Sequence, residues 1–338
     1  MPQMRDAIIT KAWYEGALWL YLLWPLSLIY QAVIIIRGFF YRSGVFKVHH
    51  VGVPVVVVGN ITVGGTGKSP LVCHLIESLR NKGFNPGIVS RGYGAKIGKY
   101  QVREVFAHSL ATEVGDEPLM LKKKLACRIF VSPSRDLAAK ALEKEGCDII
   151  ISDDGMQHYA LHRDIEICVF DGQRKWGNGH LLPMGPLREP ISRLQSIPYL
   201  VVNGASNSGS YGQASLKQKA FSMSLQAESL ISMNNENTKV LQEFSGKTVH
   251  AVAAIGHPDR FFNTLSAAGI NLEKHAFGDH HAYQKSDFMF DRDLPIIMTE
   301  KDAVKCELFD LKQSWYLPVT AKLNGDLAAQ IIEDVGLS

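Results

Sequence analysis

Val55-Val56-Val57-Val58-Gly59-Asn60-Ile61-Thr62-Val63-Gly64-Gly65-Thr66-Gly67-Lys68-Ser69 decides how this chain folds. Four consecutive valines read as a strand buried on both faces, and the strand runs directly into a glycine-rich turn ending in Gly-Lys-Ser. Such a turn lets successive backbone N–H groups converge on phosphate oxygens without Cβ clashes. Its lysine reaches the β and γ oxygens and its serine hydroxyl suits Mg²⁺. A helix starting at Gly67 adds its positive end to the same point. The first glycine of the usual G-x-x-x-x-G-K-[ST] spacing is replaced by Thr62, so Gly64 and Gly65 carry the flexibility. The expected nucleotide-holding residues are Thr62, Val63, Gly64, Gly65, Thr66, Gly67, Lys68 and Ser69.

Working outward, strand and helix patterns alternate as in a parallel sheet covered on both faces. Strands are expected at 55–58, 87–90, 128–131, 148–152, 165–170 and 199–202. Helices are expected at 67–82, 116–126 and 133–145, the last with Ser132 as N-cap and Pro133 at its first position. Gly, Ser and Asn dominate 203–215, which marks a boundary. Beyond it a second alternating region has strands near 221–225, 249–254, 296–298 and 315–317, and a helix at 258–268.

Gly16 to Ile36 contains no charged residue and includes Trp19, Tyr21, Trp24 and Tyr30. As one helix it is about 30 Å long, enough to reach across a bilayer's hydrocarbon layer. Pro25, Ser27, Gln31 and the scattered aromatics also suit a helix lying in the membrane interface, and a buried core helix is the bland alternative. No small-residue cleavage site follows, so the segment is retained. Arg37, Arg42 and Lys47 follow it, whereas Arg5 and Lys11 before it are offset by Asp6 and Glu15, which puts the remainder on the cytoplasmic side. The expected organisation is a membrane-associated helix at 1–42, a P-loop domain at 43–205, and a linker with a smaller α/β domain at 206–338 that completes the cleft.

The 338 residues are 46% hydrophobic and 20% charged, which fits a globular chain with room for two cores. A net charge of +3 and the lack of an aromatic-interleaved basic run argue against nucleic acid as a ligand. Five scattered cysteines with no C-x-x-C spacing suggest neither a zinc site nor a disulfide framework.

The segment 147–155, Cys-Asp-Ile-Ile-Ile-Ser-Asp-Asp-Gly, is an apolar strand delivering Asp153 and Asp154 at its carboxyl end, where open α/β sheets bind ligands. One of these carboxylates suits the Mg²⁺ that Ser69 would share. Asp116 and Glu117 precede a helical pattern, and by spacing alone Asp116 reads better as a helix cap than as a functional acid. In 277–283, Phe-Gly-Asp-His-His-Ala-Tyr, His280 is a candidate general base, and a satisfied surface histidine is the bland alternative. Arg91 in Ser90-Arg91-Gly92-Tyr93-Gly94 and Arg188 in the 179–190 segment are candidate contacts for an anionic, partly apolar substrate.

Taken together, 59–68, Ser90-Arg91-Gly92-Tyr93-Gly94, Gly115-Asp116-Glu117-Pro118, Asp153-Asp154-Gly155-Met156-Gln157-His158, 182–189 and Thr299-Glu300-Lys301-Asp302-Ala303-Val304-Lys305 resemble the tetraacyldisaccharide 4′-kinase family. The resemblance runs in order along nearly the whole chain. It implies an ATP- and Mg²⁺-dependent lipid kinase, active in lipid A biosynthesis at the cytoplasmic face of the bacterial inner membrane, with no obligate protein partner. The fold implied is a P-loop NTPase-like α/β/α domain with a second, smaller α/β domain across a cleft. Carried over by motif, Asp116 pairs with His280 to activate the acceptor, and Glu117, Asp153 and Asp154 lie near the metal. That reading displaces the cap role for Asp116. Gly278 departs from the family pattern, in which proline precedes the Asp-His pair, and this leaves His280 and His281 both in view as the base. The alternative reading is a membrane-associated P-loop ATPase or GTPase switch protein. Val63 stands where partitioning ATPases carry lysine.

Overall fold

The computed structural model describes residues 2–204, 219–235 and 237–337. Its strands, in chain order, are β1 Val55–Gly59, β2 Pro86–Ser90, β3 Arg103–Glu104, β4 Arg128–Val131, β5 Ile149–Asp153, β6 Ile165–Asp171, β7 Tyr199–Asn203 and β8 Lys219–Ala227. They continue with β9 Leu230–Ser232, β10 Thr238–Lys239, β11 Thr248–Ala253, β12 Asn271–Ala276, β13 Ile296–Thr299, β14 Ser314–Leu317 and β15 Val319–Leu323. The helices are α1 Pro2–Glu15, α2 Trp24–Arg42, α3 Lys68–Asn81, α4 Ala111–Val114, α5 Asp116–Lys124, α6 Arg135–Lys144, α7 Pro258–Ala267, α8 Glu300–Cys306 and α9 Leu327–Val335.

The larger sheet has the order β15-β8-β7-β6-β1-β5-β2-β4-β3, parallel except at its two edge strands. The valine run explains its central place. Val56 and Val58 pack with Leu71, Leu75 and Ile76 of α3 on one face, while Val55 and Val57 pack with Ala138 and Leu142 of α6 on the other. A strand buried on both faces has no solvent side and so shows no alternation. Between β5 and β6 the chain connections diverge, and β1 lies at this switch point, so its carboxyl end opens onto a crevice.

The smaller sheet has the order β10-β9-β14-β13-β11-β12. Val249, Ala251 and Ala253 of β11 face Phe261, Phe262 and Leu265 of α7, and Val252 faces the cluster containing Ala303 and Cys306 of α8. Its residues 230–317 lie between β8 and β15, both of which belong to the larger sheet. Phe221, Met223, Ala321, Leu327 and Ile331 pack into the core under α3. The sheets therefore divide differently from the 205/206 boundary expected from composition. β8 and α9 complete the first layer, and the small lobe is an insertion. The Gly/Ser/Asn stretch behind that expectation falls, from 205 to 218, outside the described residues.

One local expectation is corrected. The helix expected at 133–145 is α6, which starts two residues later with Ser134 at its N-cap, because the Ser132 hydroxyl accepts from Ser134 N–H in a turn ahead of it. The apolar segment expected from Gly16 is helical from Leu18 to Arg42, 3₁₀ over Leu18–Leu23 and α2 beyond with Pro25 in its first turn, and by length and composition it could cross a membrane. Gly16, at φ 82°, separates it from α1.

Candidate active site

The turn after β1 is braced before it becomes a cradle. Val63 N–H donates to the Pro186 carbonyl at 2.8 Å, Arg188 N–H donates to the Ile61 carbonyl at 2.7 Å, and Thr62 bridges to Leu187. Thr62 and Val63, expected among the nucleotide-holding residues, thus use backbone groups to dock the 182–188 segment, and Val63 to Ser69 line the cleft while Thr62 does not. Gly67 caps α3 at φ 97°, and a Cβ there would lie 2.6 Å from Asn203 Nδ2, so the position needs glycine on both counts. The same Asn203 amide holds the Thr66 carbonyl at 2.9 Å, leaving the buried Thr66 hydroxyl without a protein partner.

β5 carries the acidic pair to the same edge. Asp154 sits at φ 47°, an unusual conformation for a residue with a side chain, and three cations fix it. Lys68 Nζ lies 3.4 Å and Arg188 3.2 Å from its carboxylate, and Arg135 donates to its carbonyl at 2.9 Å. Against the cost of burial, Lys68, Arg188 and Arg135 hold its carboxyl well below the usual range. Asp153 is the opposite case. Burial, then the charges of Glu117 and Asp154, push it up to about 7, and its Oδ1 has no hydrogen-bond partner. A buried carboxylate oxygen with unused lone pairs, crowded by two other acids, is a donor set that fits a hard divalent cation.

Across the cleft, the small lobe presents the 277–283 loop from the end of β12. His280, at φ 59°, places Nδ1 2.9 Å from Asp116 Oδ2. Asp116 is the first residue of α5, and Gly115, not Asp116, is its N-cap. The capping role favoured by local spacing is therefore replaced by the contact with His280, although Asp116 also accepts from Glu117 N–H at 2.9 Å. Burial opposes ionisation of Asp116, but the His280 hydrogen bond and Lys301 outweigh it and lower its pKa. For His280, burial disfavours the cation, yet the Asp116 hydrogen bond raises the pKa above the ordinary 6.5. His281 turns away, pairing with Asp287 at 2.9 Å and stacking on Phe277.

One residue had no role in the sequence reading beyond its motif. Lys301, in the first turn of α8, lies 3.0 Å from Glu117 Oε1, 3.1 Å from Asp279 Oδ1 and 3.3 Å from His280 Nε2. Burial would lower its pKa, but Glu117, Asp279 and Asp116 raise it, so it stays charged. Its ammonium can only donate, so the contact with Nε2 is a hydrogen bond in the neutral tautomer of His280 that keeps its proton on Nδ1, toward Asp116. The local signal was Thr299 with Asp302 three residues on, a capping pattern whose hydroxyl accepts from Asp302 N–H and fixes the start of α8.

Asp116, Glu117, Asp154, His280 and Lys301 line one cleft of about 1970 Å³ together with the cradle, whereas Asp153 lies behind its wall. Lys68, Ser69, Glu117, Asp154 and His280 face it together with the cationic side chains of Arg91 and Arg188. Tyr93 packs against His280 at a tilt, with 4.6 Å between centroids and 52° between ring planes. At the outer rim α2 is docked by Ser27 to the Leu181 carbonyl at 2.9 Å, Tyr30 to the Arg188 carbonyl at 3.1 Å and Arg37 to the Gln157 carbonyl at 2.8 Å. Its other side leaves Leu26, Ile29, Val33, Ile36 and Phe39 more than half exposed, and Leu22 in the 3₁₀ segment before it is 81% exposed.

A P-loop α/β/α body facing a smaller α/β lobe, with a carboxylate–histidine pair opposite the phosphate cradle, defines the class of P-loop phosphotransferases. Residues 19–336 match the family model described as tetraacyldisaccharide-1-P 4′-kinase, and the chain belongs to that family. It is 43% identical over 335 residues to the tetraacyldisaccharide 4′-kinase of Methylobacillus flagellatus, covering 98% of this chain and 97% of that one. With the protein of the same name from Hahella chejuensis it is 43% identical over 324 residues, covering 94% and 93%. A crystal structure titled as the "apo" form of LpxK from Aquifex aeolicus in complex with ATP superposes with a TM-score of 0.76 at 28% identity, covering 94% of this chain and 99% of that one.

Proposed function

We propose that this chain transfers the γ-phosphate of ATP to the 4′-hydroxyl of a tetraacyl disaccharide 1-phosphate, giving lipid IVA and ADP. The observation that carries the reading is the Asp116–His280 pair at 2.9 Å, lining the same cleft as the Gly64–Ser69 cradle. Asp116 holds the Nδ1 proton and orients the ring, so Nε2 is the nitrogen available to take the acceptor's proton. The acceptor oxygen then bonds to the γ-phosphorus as the bond to the β-bridging oxygen breaks. Lys68 stabilises the charge on the migrating phosphoryl group, and the backbone cradle holds the phosphates in line.

Ser69, Glu117, Asp153 and Asp154 are the residues suited to Mg²⁺, which when bound neutralises charge on the β and γ oxygens. The partnerless Asp153 oxygen supports that fit. Arg91 and Arg188 suit the acceptor's phosphate and sugar. Lys301 acts as a positioning residue, holding Glu117 and the neutral form of His280 until the substrates arrive.

The exposed apolar side of α2 supports attachment to the cytoplasmic face of the inner membrane. Its docking from Ser27 to Arg37, about 15 Å of helix, favours lying in the interface over crossing the bilayer. The acyl chains then remain in the membrane while the sugar head enters the cleft. The reading invokes neither nucleic acid nor an obligate protein partner. Transfer of label from γ-³²P ATP to detergent-dispersed lipid disaccharide tests it. Acceptor-dependent labelling is expected, and equal phosphate release with and without acceptor would overturn it in favour of a switch ATPase.

A further inference from the structure

Away from the cleft, the outer edge of the small sheet carries a second group of convergent donors. Glu273 and His275 alternate on β12 and so share a face, and His250 lies opposite on β11, in register with Glu273. His250 Nδ1 is 3.0 Å from His275 Nε2 and 3.2 Å from Glu273 Oε2, and the three donor atoms all lie within 4.8 Å of one another. A tetrahedral metal centre with bonds of about 2.0–2.1 Å has donor-to-donor edges of about 3.3 Å, close to the two short separations.

The protons point the same way. His250 Nε2 lies 2.9 Å from the Arg292 carbonyl, which can only accept, so this nitrogen carries hydrogen. Nδ1, the nitrogen that faces His275 and Glu273, is then the one left to bind a cation between them. A backbone carbonyl on the far nitrogen is also the partner that fixes ring and tautomer in metal-bound histidines. Phe290 covers both imidazoles, with centroids at 4.0 and 4.2 Å, and Arg292 takes the other oxygen of Glu273. Glu273 remains about a third exposed, which leaves a fourth position for water.

We propose that His250, Glu273 and His275 form a binding site for one divalent transition-metal ion of the zinc type. Two imidazoles and one carboxylate suit borderline metals and not Mg²⁺ or Ca²⁺, which prefer all-oxygen sets. The site ties the edge strand β12 to β11, and β12 leads within five residues to His280. Its role is thus to hold the lobe that presents the base, outside the phosphate-transfer chemistry.

The test uses the full chain, stripped with chelator and dialysed, then titrated with Co²⁺ and with Zn²⁺. The expected result is one Co²⁺ per chain with the intense visible absorption of a tetrahedral site, displaced by Zn²⁺, and a Zn²⁺-dependent rise in Tm. Glu273→Gln and His275→Gln should each weaken binding at least about 10–100-fold, the loss typical even of outer-shell partners. Exposed His108→Gln should bind as the parent does. Binding unchanged by both ligand variants, or no stoichiometric uptake by a chain that is folded by circular dichroism, would overturn the site and leave a shared proton between His250 and its neighbours.

Discussion

The two sides of the cleft are built on different principles. The phosphate side hangs on β1, whose Val55–Val58 are almost wholly buried between two helical layers. The base side hangs on β12, Asn-Leu-Glu-Lys-His-Ala, an edge strand with no fully buried position. A central strand packed on both faces gives a rigid platform, which suits a cradle whose backbone groups must not move. An edge strand on an inserted lobe can shift as a body, which suits a group that meets its partner Asp116 only across the gap. The cradle on a buried central strand and the base on an exposed edge strand divide the labour between binding charge and moving a proton.

The largest effect that sharpens this contrast is expected at the rigid side. Lys68→Ala should lower kcat by about a thousandfold or more, since removing one preorganised charge-stabilising group costs about 10²–10³ and this lysine faces the migrating group. Lys68 contacts Asn60 and Asp154 at the cleft and belongs to neither core, so circular dichroism should be unchanged. Substantial turnover by a folded variant would break the phosphate-cradle assignment.

At the base side the expected signature is a pH shift. His280 has its pKa raised above 6.5 by Asp116, so the base form is lost as pH falls through that raised value, and the acidic limb of kcat should lie above pH 6.5. Asp116→Asn removes the pull, so the limb should move to lower pH while the plateau falls. The stability sign is opposite. The same pair stabilises the fold fully below the unfolded histidine pKa, and this contribution is lost as pH rises through the folded value. A limb that stays in place in Asp116→Asn would show that Asp116 does not act through His280.

This contrast also explains what could be read without a structure. Val55–Ser69 and Ile149–Asp154 are continuous apolar runs ending in chemistry-bearing residues, and both their strands and their edge position follow from that pattern. β12 is not legible in the same way, and the β8–β15 pair is legible only in part, since the strand expected at 221–225 is β8 but its place in the larger sheet and its partner β15 were not expected. The former is polar along its length, and the latter buries only Phe221, Met223 and Ala321. Asp116 looked like a cap because helix starts favour acids for local reasons. Its long-range partner is 164 residues away and leaves no local trace.

A smaller effect is expected at the rim. Replacing Leu22, Ile29 and Ile36 together with serine should cut partitioning onto anionic vesicles by at least about a hundredfold, because each such side chain gains about 1.5–3 kcal/mol on leaving water. The KM for vesicle-borne acceptor should rise about tenfold while the KM for ATP holds. Equal retention on vesicles would assign attachment to another surface.

The central claim is that Asp116 and His280 act as one unit. The direct measurement is kcat for Asp116→Ala, His280→Ala and the double variant, with His281→Ala as control. Each single change should cost about 10²–10⁴-fold, the double little more than either, and His281→Ala within about threefold of the parent. Losses that multiply in the double variant, or a larger loss at His281, would contradict the pair.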